Sequence, residues 1–339
     1  MPRAIADAVI VITGASSGIG RASALEFARR GATVVLAARR AQALEDVARE
    51  CEERGGHALA VPTDVTDAEA VETLARRAIE TFGRIDIWVN NAAVTLFGRI
   101  EETPLEDYRR VIETNLFGYV HGARAAIPYF REQGSGVLIN VASIVGKIGQ
   151  PYTSAYVATK FAILGLSECL RQELLDAPDI HVCAILPPSI DTPIFQHAAN
   201  YTGRAIQPMP PVYDAQTVAR AIVEAAESPR REVVIGGIGR RLLLMHTLAP
   251  GYAERRMAQK VERRHLQDRP AEPSSGNLFE PMPQYAQISG GWQALNRGPS
   301  PLGIAAAALA VIGLGLAAWR WAQPNGPAGR AIAQMGLGG

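Results

Sequence analysis

The sequence has few cysteines and no strong excess of charge, and both shortages exclude classes of protein. Its three cysteines, Cys51, Cys169 and Cys183, are widely separated along 339 residues and form no C-x-x-C pair. A disulfide framework and a zinc site are therefore not expected, and no metal ligand is assigned. The formal net charge is +1 and no basic stripe with interleaved aromatic residues occurs, so nucleic acid is not expected as a partner.

The amino terminus lacks the pattern of a signal peptide. The apolar segment that begins at Ala8 runs after Ile12 directly into a glycine-rich turn, which is typical of a first strand. Hydrophobic residues make up 48% and charged residues 20% of the chain, as in a globular protein with a sizeable core. The length suits one large α/β domain with an appendage, and the catalytic part is expected in the cytoplasm.

The first strand leads into a glycine-rich turn and then a helix. The turn reads T-G-x-x-x-G-x-G from Thr13, and a helical pattern continues through Arg30. This order is typical of a dinucleotide site, because small residues let the backbone approach a pyrophosphate at the helix amino terminus. A tight connection without a ligand is the alternative. The turn residues assigned to a cofactor are Gly14, Ser16, Ser17, Gly18, Ile19 and Gly20.

An acid is missing where NAD-preferring sites usually hold the ribose 2′-hydroxyl, about twenty residues after the glycine turn. Ala38 occupies that place at the end of the second strand, and Arg39 and Arg40 follow it. Two cations suit a 2′-phosphate, so NADP(H) is predicted in preference to NAD(H), which stays possible. The alternative is a solvated basic pair at a helix start, where the macrodipole disfavours cations.

The next strands also end in residues that would meet at one edge of a sheet. Asp64 and Val65 follow the third strand, and Asp64 is predicted to cap the next helix or to contact the adenine, with the cap favoured. Asn91 and Ala92 follow the fourth strand and either fasten a turn or border the cofactor. Asn115 lies within a long predicted helix, where a solvent-facing side chain is the default and a polar role the alternative.

A serine, a tyrosine and a lysine follow the buried strand that begins at Val137. Ser143 lies just after this strand, and Tyr156 and Lys160 are one helical turn apart, so both project from the same face. A lysine near a phenol favours the ionised form of that phenol, whose ordinary pKa is about 10. Tyr156 is therefore a candidate general acid or base. A chance Y-x-x-x-K and a serine that only caps a turn are the alternative.

The strand that ends at Leu186 leads into a rigid corner and then an irregular segment. The corner contains Pro187, Ile190 and Thr192, and it either supports a nicotinamide ring or is a proline-stiffened loop. Residues 195–213 show no periodicity and are predicted to form a mobile substrate lid. A further helix and strand complete a βαβ series. The predicted fold is α/β: a Rossmann-like doubly wound parallel sheet flanked by helices, plus a C-terminal helical extension.

The glycine turn, the asparagine motif, the Y-x-x-x-K pair and the proline corner together resemble the short-chain dehydrogenase/reductase family over residues 5–239. The resemblance implies that Tyr156 exchanges a proton with the substrate oxygen and that Ser143 hydrogen-bonds the same oxygen. It implies that Lys160 lowers the tyrosine pKa and binds the nicotinamide ribose, and that Asn115 holds a water in a proton relay. The implied protein is a homo-oligomeric oxidoreductase that transfers hydride between NADP(H) and a carbonyl or alcohol carbon. The alternative is a catalytically idle NADP-binding sensor or scaffold.

Beyond the catalytic domain, residues 1–239, the pattern changes. Residues 240–267 predict basic amphipathic helices, which either pack on that domain or lie against an anionic membrane. Residues 268–301 predict a Pro/Gly-rich linker and residues 322–339 a flexible tail. Between them, residues 302–321 begin with eighteen uncharged residues, about 27 Å as a helix, and predict a transmembrane tether with the catalytic domain in the cytoplasm. The alternative is a packed helix in a soluble cytoplasmic enzyme. A membrane tether would suit an apolar carbonyl or alcohol substrate.

Overall fold

The structure is a computed structural model that describes residues 4–296. The chain divides into a unit of Met1–Gln293 and a second unit of Ala294–Gly339. The predicted transmembrane segment and the predicted tail lie outside the described residues. Within residues 4–296, no helix is both long enough and apolar enough to cross a bilayer.

Strands and helices alternate along the chain, as a βαβ series requires. The strands are β1 (Val9–Thr13), β2 (Thr33–Ala38), β3 (His57–Pro62), β4 (Ile87–Asn90), β5 (Leu96–Phe97), β6 (Gly136–Val141), β7 (Ile180–Leu186), β8 (Ile190–Asp191), β9 (Ala199–Asn200), β10 (Arg204–Ile206), β11 (Tyr213–Asp214), β12 (Glu232–Val234) and β13 (Leu266–Pro270). The helices are α1 (Gly18–Arg29), α2 (Ala41–Glu53), α3 (Ala68–Phe82), α4 (Leu105–Ile112), α5 (Gly118–Gln133), α6 (Ser154–Glu173), α7 (Ala215–Glu227), α8 (Gly236–Leu248) and α9 (Pro250–Lys260).

Seven strands form one parallel sheet in the order β12-β7-β6-β4-β1-β2-β3. The chain begins in the middle of the sheet, builds outward through β2 and β3, and then returns to build the other half from β4. The prediction of a doubly wound α/β fold is confirmed. Ligands bind such sheets at the carboxyl ends of the strands, where the strand order reverses.

Both faces of the central strands are covered by helices, which explains their continuous apolar sequences. Every residue of β1 and β6 is buried. On one face, Phe27 of α1 and Ile222 of α7 belong to the core; on the other, Leu74 of α3 and Phe130 of α5 do. The strand ends that carry the predicted site residues therefore rest on a packed scaffold.

The helix after β3 is capped by a residue that the sequence reasoning did not select. The Asp67 carboxylate accepts the backbone N–H groups of Glu69 and Ala70 at 2.9 and 3.2 Å, and α3 ends at Gly83 with φ 75°. The favoured prediction that Asp64 caps this helix is wrong. Asp64 lies three residues earlier, in the turn after β3, and its carboxylate has other partners.

The predicted lid contains paired strands, although its sequence shows no periodicity. Within residues 195–213, β9 pairs with β5 and β10 pairs with the distant strand β13, and Met209 and Val212 are buried. The predicted basic helices are α8 and α9, which end in a π-helical turn at Val261–His265 before β13 begins. The sequence gives no sign that β10 of the lid pairs with β13, because the two strands lie about 60 residues apart.

The described part of the predicted linker is packed against the rest of the protein, which the prediction did not include. After β13 it runs over the carboxyl edge of the sheet, and we call residues 277–292 the strap. Leu278, near the beginning of the strap, is fully buried in a cluster with Val94, Leu96 and Val111. Proline- and glycine-rich composition predicts flexibility, but burial of this leucine helps to dock the segment.

The far end of the strap is fastened to a carboxylate. Asp191 accepts hydrogen bonds from the backbone N–H groups of Gly290 and Trp292 at 3.0 and 2.8 Å and from the Ser289 hydroxyl at 2.6 Å. The Trp292 indole N–H donates to the carbonyl oxygen of Thr192 at 3.2 Å. The strap is therefore anchored next to the predicted proline corner.

Candidate active site

A cleft of about 790 Å³ lies at the carboxyl edge of the sheet. Two predicted site residues, Gly20 and Asn115, do not line it. The predicted residues that do are Gly14, Ser16, Ser17, Gly18, Ile19, Arg39, Arg40, Asp64, Val65, Asn91, Ala92, Ser143, Tyr156, Lys160, Pro187, Ile190 and Thr192. The structure thus brings together residues from six strand ends, as parallel topology requires.

The glycine turn after β1 presents the amino terminus of α1 to the cleft. Gly14 and Gly18 have φ values of 67° and 54°. These values lie in the left-handed region, which residues with a side chain adopt only at a cost in conformational energy. A Cβ on Gly20 would collide with the carbonyl oxygen of Gly14. Gly20 therefore lets α1 pack closely against the glycine turn, although Gly20 itself does not line the cleft.

Asn91 fastens the glycine turn to the neighbouring strand. Its side-chain amide donates to the carbonyl oxygens of Thr13 and Gly14 at 2.9 and 3.3 Å. In return, the Thr13 hydroxyl accepts the backbone N–H groups of Asn91 and Ala92 at 3.0 and 3.1 Å. Both proposed roles of the asparagine motif are compatible with this position, since it fastens a turn and also lines the cleft.

Arg39 and Arg40 are half-buried and contact the strap. The Arg39 guanidinium donates to the carbonyl oxygens of residues 277–279 at 2.6 to 3.2 Å. The Arg40 guanidinium donates to the carbonyl oxygens of Met282 and Gln284 at 3.0 and 3.2 Å. Both cations are thus only partly solvated, and their role in holding a 2′-phosphate stays a prediction.

The carboxylate of Asp64 is held within the cleft wall. It accepts the backbone N–H and the hydroxyl of Thr66 at 3.0 and 2.9 Å and pairs with Arg110 at 2.9 Å. Burial alone would raise the pKa of Asp64, but these hydrogen bonds and the Arg110 charge outweigh it and lower that pKa. Sequence reasoning missed Arg110, because it follows another arginine on α4 and nothing local distinguishes the two.

Ser143 and Tyr156 meet at the centre of the cleft. The Ser143 hydroxyl accepts the Val145 N–H and donates to the Pro187 carbonyl oxygen, both at 3.3 Å. Burial of the phenol raises the pKa of Tyr156 to about 12, although a hydrogen bond with Ser143 acts in the opposite direction. A pKa this far above neutrality favours the protonated form of the Tyr156 phenol at neutral pH.

Lys160 is almost completely buried behind Tyr156. Its ammonium donates to the Val141 carbonyl oxygen at 2.8 Å and lies 5.3 Å from the centre of the Tyr156 ring. Burial lowers the pKa of Lys160 to about 7. Burial has the largest effect on the pKa of Tyr156 and raises it, so the lowering by this lysine that the resemblance implies does not appear.

Asn115 lies in a π-helical turn, Glu113–Phe117, between α4 and α5. Its side chain is fully buried: Oδ1 accepts the Val94 N–H at 2.8 Å, and Nδ2 donates to the Val94 carbonyl oxygen at 2.9 Å and to the Thr159 hydroxyl at 3.3 Å. The default expectation of a solvent-facing side chain is wrong. The polar alternative applies, because the amide joins the loop after β4 to the helix that carries Tyr156 and Lys160.

Sequence reasoning also missed two walls of the cleft. One is the strap, which contributes Asn277, Pro281 and Met282. The other is formed by α8, α9 and the turn that follows them. Only the second had a usable signal, since the basic residues of α9 recur at a spacing of four.

Known proteins of similar sequence define the family to which this chain belongs. The chain belongs to the short-chain dehydrogenase family, whose profile, described as short chain dehydrogenase, matches residues 8–201. It is 41% identical over 272 residues to the uncharacterized oxidoreductase YxnA of Bacillus subtilis, covering 79% of this chain and 76% of that protein. It is 34% identical over 276 residues to dehydrogenase/reductase SDR family member 7B of Bos taurus, covering 76% and 83%. The protein is therefore an oxidoreductase of this family.

A solved structure agrees with this assignment. An alcohol dehydrogenase from the archaeon Thermococcus sibiricus, determined in complex with 5-hydroxy-NADP, superposes with a TM-score of 0.59 at 30% sequence identity. The match covers 67% of this chain and 95% of that protein. The likeness supports the fold, and a nicotinamide cofactor suits it.

Proposed function

We propose that this enzyme interconverts a carbonyl and an alcohol by hydride transfer with NADP(H), and that Tyr156 is its general acid or base. The observation that carries the proposal is the convergence of Ser143, Tyr156 and Lys160 on the cleft that also receives the glycine turn. Homo-oligomerisation remains a prediction from the family resemblance.

The residues of the cleft fit a nicotinamide dinucleotide, which supplies the hydride when it is bound. The glycine turn and the amino terminus of α1 would hold the pyrophosphate. Arg39 and Arg40 would hold the 2′-phosphate through charge-assisted hydrogen bonds, with NAD(H) as the weaker ligand. Asp64, Val65, Asn91 and Ala92 would border the adenine side. Pro187, Ile190 and Thr192 would border the nicotinamide.

The chain's own groups would move the proton. Tyr156, protonated at neutral pH, would donate its proton to the substrate oxygen as the carbonyl is reduced. The Ser143 hydroxyl would hydrogen-bond the same oxygen and orient it, and Lys160 would contact the nicotinamide ribose. Asn115 would act by fixing the loop after β4, and its role in holding a relay water remains a prediction from the family resemblance.

Absorbance of NADPH tests the proposal. The full chain is incubated with a panel of apolar ketones and aldehydes, and with the corresponding alcohols and NADP⁺. We expect oxidation of NADPH with at least one carbonyl. Binding of NADPH without turnover of any carbonyl or alcohol would favour the idle sensor or scaffold.

We also propose that residues 302–321, which lie outside the described residues, tether the enzyme to a membrane. Separation of membranes from supernatant tests this with the full chain and with a version that ends at Arg297. The full chain is expected to sediment with membranes and the shortened chain to stay in the supernatant, because the apolar segment is removed. Equal distribution of the two would contradict the tether and favour the soluble alternative.

A further inference from the structure

Part of the cleft is lined by apolar side chains, and we call this part the apolar channel. Met209 and Met257 are buried there in one cluster with Ile144 and Val145, the two residues that follow Ser143. Leu242 packs against the same cluster and also lines the cleft. A methionine-rich wall of this kind accepts flexible apolar chains, because the thioether side chains adapt to irregular shapes.

The same cleft is also lined by a group of cationic side chains, which we call the basic rim. Its members are Arg241, Arg256, Lys260, Arg263 and Arg264, all of which line the cleft. Arg256, Lys260 and Arg264 follow one another at intervals of four, so the helix and its π-helical end place them on one side.

No cation of the basic rim is paired with a carboxylate within the described part of the chain. Along residues 4–296, no rim side chain forms an ion pair, and the one carboxylate that lines the cleft, Asp64, is paired with Arg110. Glu262, which lies between rim residues in the sequence, pairs instead with Arg204.

The rim cations also repel one another. Burial lowers the pKa of Lys260, and the charges of Arg264 and Arg256 lower it further. An anion at this place would remove that repulsion and would gain charge-assisted hydrogen bonds. The proximity of an apolar channel to an uncompensated cationic cluster is the pattern of a site for an amphipathic anion.

We propose that the substrate of this oxidoreductase is an amphipathic anion, whose apolar chain fills the methionine-lined channel and whose carboxylate or phosphate group binds the basic rim. This inference rests on the proposed function, since it extends the same cleft. The carbonyl would lie at Ser143 and Tyr156, and the chain would run from there toward α9.

Calorimetry of ligand binding tests the proposal without turnover. The full chain saturated with NADPH is titrated with octyl phosphate, octanoate and 1-octanol, which share one apolar chain. We expect both anions to bind roughly tenfold or more tightly than the alcohol, because only they meet the rim. The preference should disappear in the triple variant Arg256→Gln, Lys260→Gln, Arg264→Gln.

A variant with the same charge change elsewhere, Arg49→Gln, Arg76→Gln, Arg77→Gln, serves as the control and should keep the preference. Equal binding of the three ligands, or an anion preference that survives in the rim variant, would overturn the proposal. Attraction of the full chain to anionic vesicles without tight binding of octyl phosphate would overturn it as well, in favour of a membrane-facing surface. Failure of turnover with every carbonyl would contradict the proposed function and leave these binding results unaffected.

The strap also contacts the amino-terminal turn of α1. The Gln287 carbonyl oxygen accepts the backbone N–H of Gly18, the first residue of α1, at 3.2 Å, and the Ala286 carbonyl oxygen accepts from Arg21 at 2.8 Å. Donors at a helix amino terminus are the ones that a pyrophosphate uses. The strap also occupies donors of Arg39 and Arg40, so its carbonyl oxygens lie where phosphate oxygens are expected.

We infer that the strap must detach before a dinucleotide enters the cleft, so that the strap controls the rate of cofactor binding. The population of molecules with a detached strap then limits the apparent association rate. Residues that anchor the strap without lining the cleft, Leu278 and Trp292, set that population.

Stopped-flow fluorescence of NADPH tests this inference. Leu278→Ala and Trp292→Ala each remove an anchor of the strap, and each is expected to raise the association rate constant roughly tenfold. Leu175→Ala, at an exposed leucine after α6, is the matched control and should leave the rate unchanged. Circular dichroism confirms that the variants are folded. An unchanged or lower association rate in both folded strap variants would overturn the inference.

Discussion

Replacing Tyr156 with phenylalanine is expected to lower turnover of the carbonyl substrate roughly a thousandfold, because the substitution removes the proton donor and keeps the ring. The phenol is buried next to Ser143, and its raised pKa keeps it protonated at neutral pH. NADPH should still bind, since its phosphate groups are expected at the glycine turn and Arg39. The measurement is the rate of NADPH oxidation together with a fluorescence titration of the same variant.

A second tyrosine provides the control for this experiment. The Tyr119 hydroxyl donates to the Val141 carbonyl oxygen at 2.9 Å, which also accepts from Lys160, but Tyr119 does not line the cleft. Tyr119→Phe therefore removes a buried hydroxyl close to the same lysine without removing the proposed acid. We expect it to lose much less activity. Comparable losses in the two variants would indicate a general disturbance and would contradict the assigned role of Tyr156.

Replacing Arg39 with alanine is expected to weaken NADPH binding roughly 10- to 100-fold, since hydrogen bonds to charged groups contribute about 1.5–3 kcal/mol. NADH lacks the 2′-phosphate, so its affinity should not fall. Fluorescence titration with both dinucleotides measures the difference. The variant should also lose the three strap contacts of Arg39.

Two comparisons make the Arg39 result interpretable. Arg54→Ala makes the same charge change at the end of α2, away from the cleft, and should affect neither dinucleotide. Parallel effects of Arg39→Ala on NADPH and NADH would contradict NADP preference. They would mean that Arg39 acts through the strap and not through the 2′-phosphate.

The sheet and the glycine turn could be predicted because their signals are local. β1 is a short run of apolar residues that must be covered on both faces, and the glycines at its end satisfy steric conditions that a Cβ violates. Once the strands are known to be parallel, their carboxyl ends meet at one edge. Ser143, Arg39 and Thr192 therefore lie in one cleft although they are far apart in the sequence.

Other features depend on contacts that leave no local pattern. The strap binds Arg39, Arg40 and Gly18 through its own backbone carbonyl oxygens, and any sequence carries such oxygens. Asn115 is buried because its amide matches the backbone of Val94, which a helical pattern does not reveal. The pKa of Tyr156 depends on the burial of its phenol, and spacing within α6 predicts proximity to Lys160 but not that burial.

Transfer of deuterium tests the central claim most directly. NADPH labelled with deuterium at C4 of the nicotinamide is incubated with the full chain and a reducible carbonyl, and the alcohol product is examined by mass spectrometry. We predict one deuterium on the former carbonyl carbon with one of the two C4 epimers of the cofactor, and almost no labelled product with Tyr156→Phe. Consumption of NADPH without deuterium in the alcohol would contradict hydride transfer in this cleft.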